Sequence, residues 1–142
     1  MSSTTSVFVD TNVLLYRVLA DPAEAAKRQR AMEVFRTQNC WLSVQVLQEF
    51  YFQATHPRRV VRASHEAACG FVREFLWRRV QPMTIPIFLA ATETKQRFQI
   101  SYWDAAIIEA ARALGCATVY SEDLNDGQDY GGVRVENPFA GL

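Results

Sequence analysis

The chain has 142 residues, of which 49% are hydrophobic and 21% are charged, and its formal net charge is zero. This length and composition predict one globular domain over residues 1–142, and the charge balance excludes an overall basic field for nucleic acid. No apolar stretch reaches the ~20 residues of a membrane-spanning helix and residues 1–6 lack the features of a signal peptide, so we expect a cytoplasmic protein.

The first half of the chain predicts alternating strands and helices. The run Val7–Asp10 is apolar until it ends in an acid, which is typical of a buried parallel strand. Capping side chains, including those of Asp21-Pro22-Ala23-Glu24, then mark where helices begin. The predicted elements are a strand over Val7–Asp10, helices from Thr11 to about Leu19 and from Asp21 to about Thr37, a strand over Cys40–Leu42 and a helix over Ser43–Ala54.

The second half continues this alternation. Pro82 cannot donate a hydrogen bond within a sheet, so a strand that contains it is expected at an edge. The predicted elements are a helix from Ser64 to about Arg79, a strand over Gln81–Thr84, helices from Pro86 to about Phe98 and over Ala105–Leu114, and strands over Cys116–Tyr120 and Val133–Val135. Strands separated by helices predict a three-layer α/β/α domain with a central, mainly parallel sheet of four or five strands.

Four acidic residues fall where such a fold would bring them together. Asp10 and Asp123 follow predicted strands, and the ligands of open parallel sheets gather beyond the carboxyl ends of the strands. Glu49 is the one charged residue of its predicted helix, and Asp104 stands at the start of a later helix. We therefore expect these four carboxylates to share one pocket.

Each of these acids also has a simpler structural interpretation. An acid in the position of Asp10 stabilises a helix N-terminus, and Glu49 could point to solvent. Asp104 matches a capping box with Ser101. These alternatives stay open, because a carboxylate has enough lone pairs to cap a helix and to bind a ligand at once.

The fourth acid has two competitors within its own loop. The segment 121–126 is rich in acids, and an acid-rich loop is often a solvated turn. We choose Asp123, with Glu122 and Asp126 as the alternatives.

A cluster of carboxylates requires a cation or protons. Two carboxylates about 5 Å apart repel each other by roughly 3 kcal/mol at an effective dielectric constant near 20. Several such pairs would rival the whole stability of a domain, about 5–15 kcal/mol. Ligation by oxygen alone favours Mg²⁺, with Mn²⁺ as the alternative ion, over zinc, because the three cysteines are widely spaced and no Cys or His pair has ligand spacing.

Five segments carry a resemblance to a known family. They are Val9–Asn12, Ser43–Glu49, Tyr102–Ile108, Val119–Asp123 and Val135–Phe139. In this order, and across the whole chain, they resemble PIN-domain proteins, and specifically the VapC-type ribonuclease toxins of bacterial toxin–antitoxin pairs.

The resemblance implies a set of site residues and partners. The implied metal-binding and catalytic acids are Asp10, Glu49, Asp104 and Asp123, and the implied supporting residues are Ser121, Thr11 and Asn12. The implied activity is Mg²⁺-dependent hydrolysis of RNA phosphodiester bonds. The implied partners are the RNA substrate, a second copy of the chain and a small antitoxin protein, without membrane association.

Two other classes of function remain as rivals. A phosphatase that uses an Asp-x-Asp motif is disfavoured because Asn12 stands where the second aspartate is needed. A receiver domain is disfavoured because Lys27 and Lys95 do not follow a late strand. A catalytically inactive PIN-like scaffold that binds RNA or a protein stays open as the alternative function.

Overall fold

A computed structural model of the protein describes residues 5–142. Over these residues the chain forms five strands and six α-helices. The strands are β1 (Ser6–Val9), β2 (Asn39–Ser43), β3 (Val80–Gln81), β4 (Thr118–Tyr120) and β5 (Arg134–Glu136). The helices are α1 (Thr11–Leu19), α2 (Ala25–Thr37), α3 (Val44–Ala54), α4 (His65–Phe75), α5 (Ile85–Phe98) and α6 (Tyr102–Ala113).

The five strands form one sheet in the order β3-β2-β1-β4-β5. Every neighbouring pair of strands is parallel, which confirms the predicted sheet. The central strand is β1, where Phe8 pairs with Trp41 of β2 on one side and with Val119 of β4 on the other. Parallel strands end at the same edge of a sheet, so the residues that follow β1 and β4 are neighbours there.

Helices cover the sheet and give the predicted three-layer α/β/α arrangement. Helix α1 packs against α2 and α3, α3 packs against α4, and α5 packs against α6, which also contacts β2, β3 and β4. The core contains side chains with no exposed surface, such as Phe8, Leu42, Phe50, Ile108 and Val119. No helix within residues 5–142 combines the length and apolarity that crossing a membrane requires.

The predicted boundary between α4 and β3 was wrong. Helix α4 ends at Phe75 rather than near Arg79, and β3 begins at Val80. The chain has to leave the helix early because Leu42 of β2 donates its N–H to the Arg79 carbonyl (3.1 Å) and pairs with Val80. Thr84 lies outside the strand, where its hydroxyl accepts from Ile87 N–H and caps α5. The predicted edge position of β3 is confirmed.

Smaller differences occur where helices begin. The capping box of Asp21 and Glu24 is present, but it starts a short 3-10 helix over Pro22–Glu24 that precedes α2. Helix α6 begins at Tyr102 rather than Ala105, so Asp104 lies in its first turn.

Candidate active site

Asp10 is the residue that directly follows the central strand. Its backbone N–H donates to the Tyr120 carbonyl (3.0 Å), which extends the pairing of β1 with β4 by one residue. Its Oδ1 accepts from Thr11 N–H (2.8 Å) and its Oδ2 accepts from the Ser121 hydroxyl (2.8 Å). The side chain therefore caps α1, which confirms the simpler interpretation, and its second oxygen faces the end of β4, so its role as a site acid stays a prediction.

The carboxyl group of Asp10 lies in surroundings that oppose its charge. Burial raises the pKa of Asp10 to about 6, although the hydrogen bonds from Ser121 and Thr11 act to lower it. The carboxylates of Glu49 and Asp123 raise the pKa of Asp10 further. A bound cation would remove this penalty, because an opposite charge nearby favours the ionised form of an acid.

Glu49 lies half-buried on α3 with both carboxylate oxygens in use. Its Oε2 accepts from the Thr11 hydroxyl (3.0 Å), and its Oε1 accepts from the side-chain amide of Gln45 (3.1 Å). The interpretation in which Glu49 points to solvent was therefore wrong. Thr11 lies next to Asp10, so its hydroxyl joins the end of β1 to α3.

Asp123 is held by residues from two segments. The Asn12 side-chain amide donates to Asp123 Oδ2 (3.2 Å) and to the Ser121 hydroxyl (3.3 Å). The backbone N–H of Asp123 donates to the same hydroxyl (3.1 Å). Ser121, which has no exposed surface, thus connects Asp123 with Asp10.

Asp104 joins this group from the first turn of α6. Its backbone N–H donates to the Ser101 hydroxyl (3.0 Å), which supplies the N-cap of the helix. Burial raises the pKa of Asp104, a hydrogen bond between Ser101 and the Asp104 side chain lowers it, and the charges of Asp123 and Glu49 raise it. Asp10 and Asp104 therefore interact electrostatically with the same two carboxylates.

The two alternatives to Asp123 have partners elsewhere. Glu122 accepts hydrogen bonds from the Tyr16 hydroxyl and from the Lys27 ammonium group, whose nitrogen lies 3.0 Å from Glu122 Oε2. Asp126 Oδ1 accepts from the Asn137 backbone N–H (2.9 Å). This geometry favours Asp123 as the fourth acid of the group.

The spacing of the four acids does not provide a fully protein-ligated metal site. Within residues 5–142, no three His, Cys, Asp or Glu side chains lie close enough together to hold a metal ion directly. Mg²⁺ usually keeps several of its waters and binds one or two carboxylates, which such an arrangement allows. The oxygen donors present are also those that Mg²⁺ and Mn²⁺ prefer.

Arg59, Arg78 and Arg79 differ in whether they lie near the candidate site. Arg59 lines a cavity that also includes Asn12 and Asp123. Arg78 and Arg79 instead stack over Phe35 and Trp41, with 4.8 Å from each guanidinium carbon to the ring centre. Of these three arginines, Arg59 is thus the one that lies in the same cavity wall as Asp123.

Gln45 is a site residue that reasoning from the sequence did not single out. Its side-chain nitrogen donates to Glu49 and also to the Trp103 backbone carbonyl (3.1 Å). Trp103 precedes Asp104, so Gln45 joins the two helices that carry these acids. The i to i+4 spacing of Gln45 and Glu49 is visible in the sequence, but the contact with Trp103 is not.

Replacing Gln45 with leucine is expected to destabilise the protein by about 1 kcal/mol, because two partly buried acceptors lose their donor. Glu49 and Asp104 would also be positioned less accurately. Gln48 is exposed on the same helix, so Gln48→Leu serves as a matched control, with an expected change within about 0.5 kcal/mol. Urea denaturation of both variants tests this, and equal stabilities would contradict the bridging role.

The fold is shared with several solved proteins. The chain is similar to the sarcin-ricin loop cleaving toxin VapC20 of Mycobacterium tuberculosis, with 24% identity, a TM-score of 0.67 and coverage of 92% of this chain and 99% of that one. It is similar to DNA-bound VapBC from Salmonella typhimurium, with 17% identity, a TM-score of 0.67 and coverage of 95% and 99%. It is also similar to FitAcB from Neisseria gonorrhoeae, with 17% identity, a TM-score of 0.62 and coverage of 94% and 99%.

A comparison of the sequence with family models assigns the family independently of the fold. No curated protein matches the chain in a sequence comparison. The family model of the PIN domain matches residues 7–125, which include β1 from Val7 onward, β2 to β4 and all four acids. The chain therefore belongs to the PIN-domain family.

Proposed function

We propose that the protein is a Mg²⁺-dependent endoribonuclease, with Mn²⁺ as the alternative ion, that hydrolyses RNA phosphodiester bonds. One observation carries this proposal. Acids from four remote segments interact at one edge of the sheet, where the pKa of Asp10 and that of Asp104 are both raised and each acid is affected by the same two carboxylates. Acids arranged in this way are suited to a divalent cation, and membership of a nuclease family supports that chemistry.

Each acid has a role that follows from its contacts. Asp10 and Asp104 would hold the ion, which when bound acts as a Lewis acid on the phosphate and lowers the pKa of a water. Glu49 is held on both oxygens, so it would keep a fixed hydrogen-bond acceptor beside that water. Asp123 is exposed and held on one oxygen, so its other oxygen is available to accept a proton.

The supporting residues keep these acids in place. Ser121 and the Thr11 backbone N–H hold the two oxygens of Asp10. The Thr11 hydroxyl holds Glu49, and Asn12 holds Asp123. These contacts fix the orientation of the acids before the substrate arrives, which lowers the entropic part of the reaction barrier.

We also propose that the protein is the toxin of a toxin–antitoxin pair and acts in the cytoplasm as one domain. Solved proteins with this fold include a toxin–antitoxin complex from Klebsiella pneumoniae and the VapBC complex named above. The expected partners are a small antitoxin and a second copy of the chain. Co-expression with the product of a short neighbouring reading frame, followed by size-exclusion chromatography, tests both.

The nuclease proposal predicts RNA cleavage that depends on a divalent ion. Purified protein is incubated with total ribosomal RNA in Mg²⁺, in Mn²⁺, in EDTA and in EDTA followed by excess Mg²⁺. We expect discrete fragments with either ion, none in EDTA and recovery when Mg²⁺ is restored. Cleavage that persists in EDTA would contradict a metal-dependent mechanism, and RNA binding without cleavage would favour the inactive scaffold.

A further inference from the structure

A cavity of about 520 Å³ opens beside Asp123, one of the four site acids. Its wall also includes Asn12, which binds Asp123, and Arg59 from the segment between α3 and α4, and we call it the Arg59 cavity. The volume lies within the range of about 300–1,000 Å³ that is typical of small-molecule sites. It can therefore hold a group of the size of a nucleobase next to Asp123.

Arg59 has hydrogen-bonding capacity that its protein contacts leave unused. One terminal nitrogen donates to the Leu19 carbonyl over 3.4 Å, which is a long hydrogen bond. The Nε of Arg59 is buried and has no hydrogen-bond partner within the described part of the chain. A buried donor without an acceptor is unfavourable, so a ligand that supplies one would be stabilised here after a small movement of the side chain.

The other charges of the cavity disfavour an anion. Asp21, Glu24, Glu122 and Asp123 all line it, and, although Lys27 pairs with Glu122, the other three outnumber the single arginine. A phosphate group in the cavity would meet this negative majority. Neutral groups with N–H donors would instead find carboxylate acceptors, as the amino groups of bases do.

Two of these acids are already held by protein groups. Glu24 Oε1 accepts from the Asp21 backbone N–H (3.2 Å), and Asp21 Oδ1 accepts from Ala23 N–H (2.9 Å). Their orientation is therefore set before a ligand binds. Since each carboxylate offers about four lone-pair sites, both retain acceptor capacity toward the cavity.

Apart from Gln53 and the Tyr16 hydroxyl, the remaining wall is apolar. Leu15 and Leu19 line the cavity and are 6% and 9% exposed, and Val60 lines it from the opposite segment with 88% of its surface exposed. Proteins that recognise single-stranded RNA stack unpaired bases on aromatic side chains or guanidinium planes and read the edges of those bases by hydrogen bonds. Tyr16 and Arg59 line the cavity and offer such groups, and its carboxylates offer hydrogen-bond acceptors.

We propose that the Arg59 cavity binds the base of an unpaired nucleotide next to the bond that is cut, which rests on the nuclease function proposed above. The base would pack against Leu15 and Leu19, present a carbonyl or ring nitrogen to Arg59 and donate its amino group to a carboxylate. The adjoining phosphate would then lie at the Asp123 end, beside the acids. Binding of one base in this way would give the enzyme a preference for certain nucleotides at the cleavage position.

Nuclear magnetic resonance can test base binding without any cleavage. Isotope-labelled protein in EDTA is titrated with adenosine, guanosine, cytidine and uridine 5′-monophosphates, and separately with ribose 5-phosphate and inorganic phosphate. We expect at least one nucleotide to shift the Arg59 Nε–H signal and the backbone signals of residues 59–61. The two ligands that lack a base are expected to shift neither.

Two pairs of variants locate the binding site. Ala23 lines the cavity and Ala26 is exposed outside it, so Ala23→Trp should weaken nucleotide binding about tenfold, the loss expected when one base contact is removed, while Ala26→Trp should not. Arg59→Met should weaken it similarly, whereas Arg58→Met removes the same charge from an exposed neighbour outside the cavity and should have little effect. Equal effects within either pair would overturn the proposal.

Other outcomes are also decisive. Shifts produced equally by inorganic phosphate would reveal an anion site instead of a base site. Shifts produced by N-acetyl-arginine amide but by no nucleotide would assign the cavity to a cationic side chain of a protein partner. Either result overturns the proposal, even if RNA cleavage in Mg²⁺ is observed. Nucleotide binding without RNA cleavage would support the base site and refute the nuclease function.

Discussion

Asp10→Asn is expected to lower the rate of Mg²⁺-dependent RNA cleavage by about 10²–10³-fold, a loss of several kcal/mol of transition-state stabilisation. Asparagine keeps the shape of the side chain but removes the negative charge that would hold the cation. Its Oδ1 can still accept from Thr11 N–H, but the Ser121 hydroxyl loses its acceptor, because the Ser121 oxygen already accepts from the Asn12 amide and from Asp123 N–H. Losing this one buried hydrogen bond costs about 1–3 kcal/mol, which is less than the stability of a typical domain. The fold is therefore expected to survive, and circular dichroism of the variant should match that of the wild type.

The matched control is Asp126→Asn, a change of the same type in the acidic loop. Asp126 Oδ1 accepts from Asn137 N–H, and an asparagine oxygen can keep this bond. We expect less than a twofold change in cleavage for this variant, because Asp126 lies outside the group of acids that affect the pKa of Asp10. Asp123→Asn should lose much more activity. Wild-type cleavage by a folded Asp10→Asn protein would remove the proposed mechanism.

The stability of the metal-free protein is expected to fall as the pH rises through about 6. The pKa of Asp10 is raised from 3.8 to about 6 in the folded protein, so the folded state binds this proton more tightly than the unfolded chain does. The stabilising contribution of this bound proton is complete below pH 3.8 and is lost as the pH rises through 6. The shift of the Asp10 pKa lowers the free energy of unfolding at pH 7 by about 3 kcal/mol relative to low pH. The raised pKa of Asp104 acts in the same direction.

Urea denaturation in EDTA at several pH values between 4 and 7.5 measures this effect. The stability of Asp10→Asn relative to the wild type should rise from pH 4 to pH 7.5, because only the wild type carries the buried charge at the higher pH. Glu93→Gln, on the exposed face of α5, removes one acid outside the site and should not reproduce this pattern. Adding Mg²⁺ should stabilise the wild type more at pH 7.5 than at pH 5, since the ion binds the charged acids. A stability difference that does not change with pH would contradict the burial of this charge.

Much of the fold follows from local patterns in the chain. The apolar run before Asp10 predicts a buried strand, and the capping side chains predict the helix that follows it. Both features depend on residues within a few positions of each other, and the structure confirms them. Asp10 was predicted as a site residue because it follows a strand, and the carboxyl ends of parallel strands meet at one edge of the sheet.

The boundary after α4 could not be predicted in this way. The helical pattern near Phe75 continues toward Arg79, and local propensity alone does not end it. The helix stops where β2, about 40 residues earlier in the chain, accepts and donates hydrogen bonds to the new strand. Pairing between distant segments therefore overrides the local preference.

The choice among the three acids of the 121–126 loop also depends on distant partners. Lys27 binds Glu122 across 95 positions of the chain, and Asn12 binds Asp123 across 111. From the sequence these acids differ little, since each has a similar local setting. Glu122 is paired with Lys27, and Asp123 is held by Asn12, only because α1 and α2 pack beside β4.

The amino-acid order alone determined the kinds of elements, the parallel sheet and the four candidate acids, because periodicity, capping and strand ends are set by near neighbours. Only the folded chain decided that Gln45 bridges two helices, that Arg59 retains an unpaired donor and that a cavity adjoins Asp123. These features are contacts between segments far apart in the chain. Their geometry depends on how whole helices pack, which no local pattern specifies.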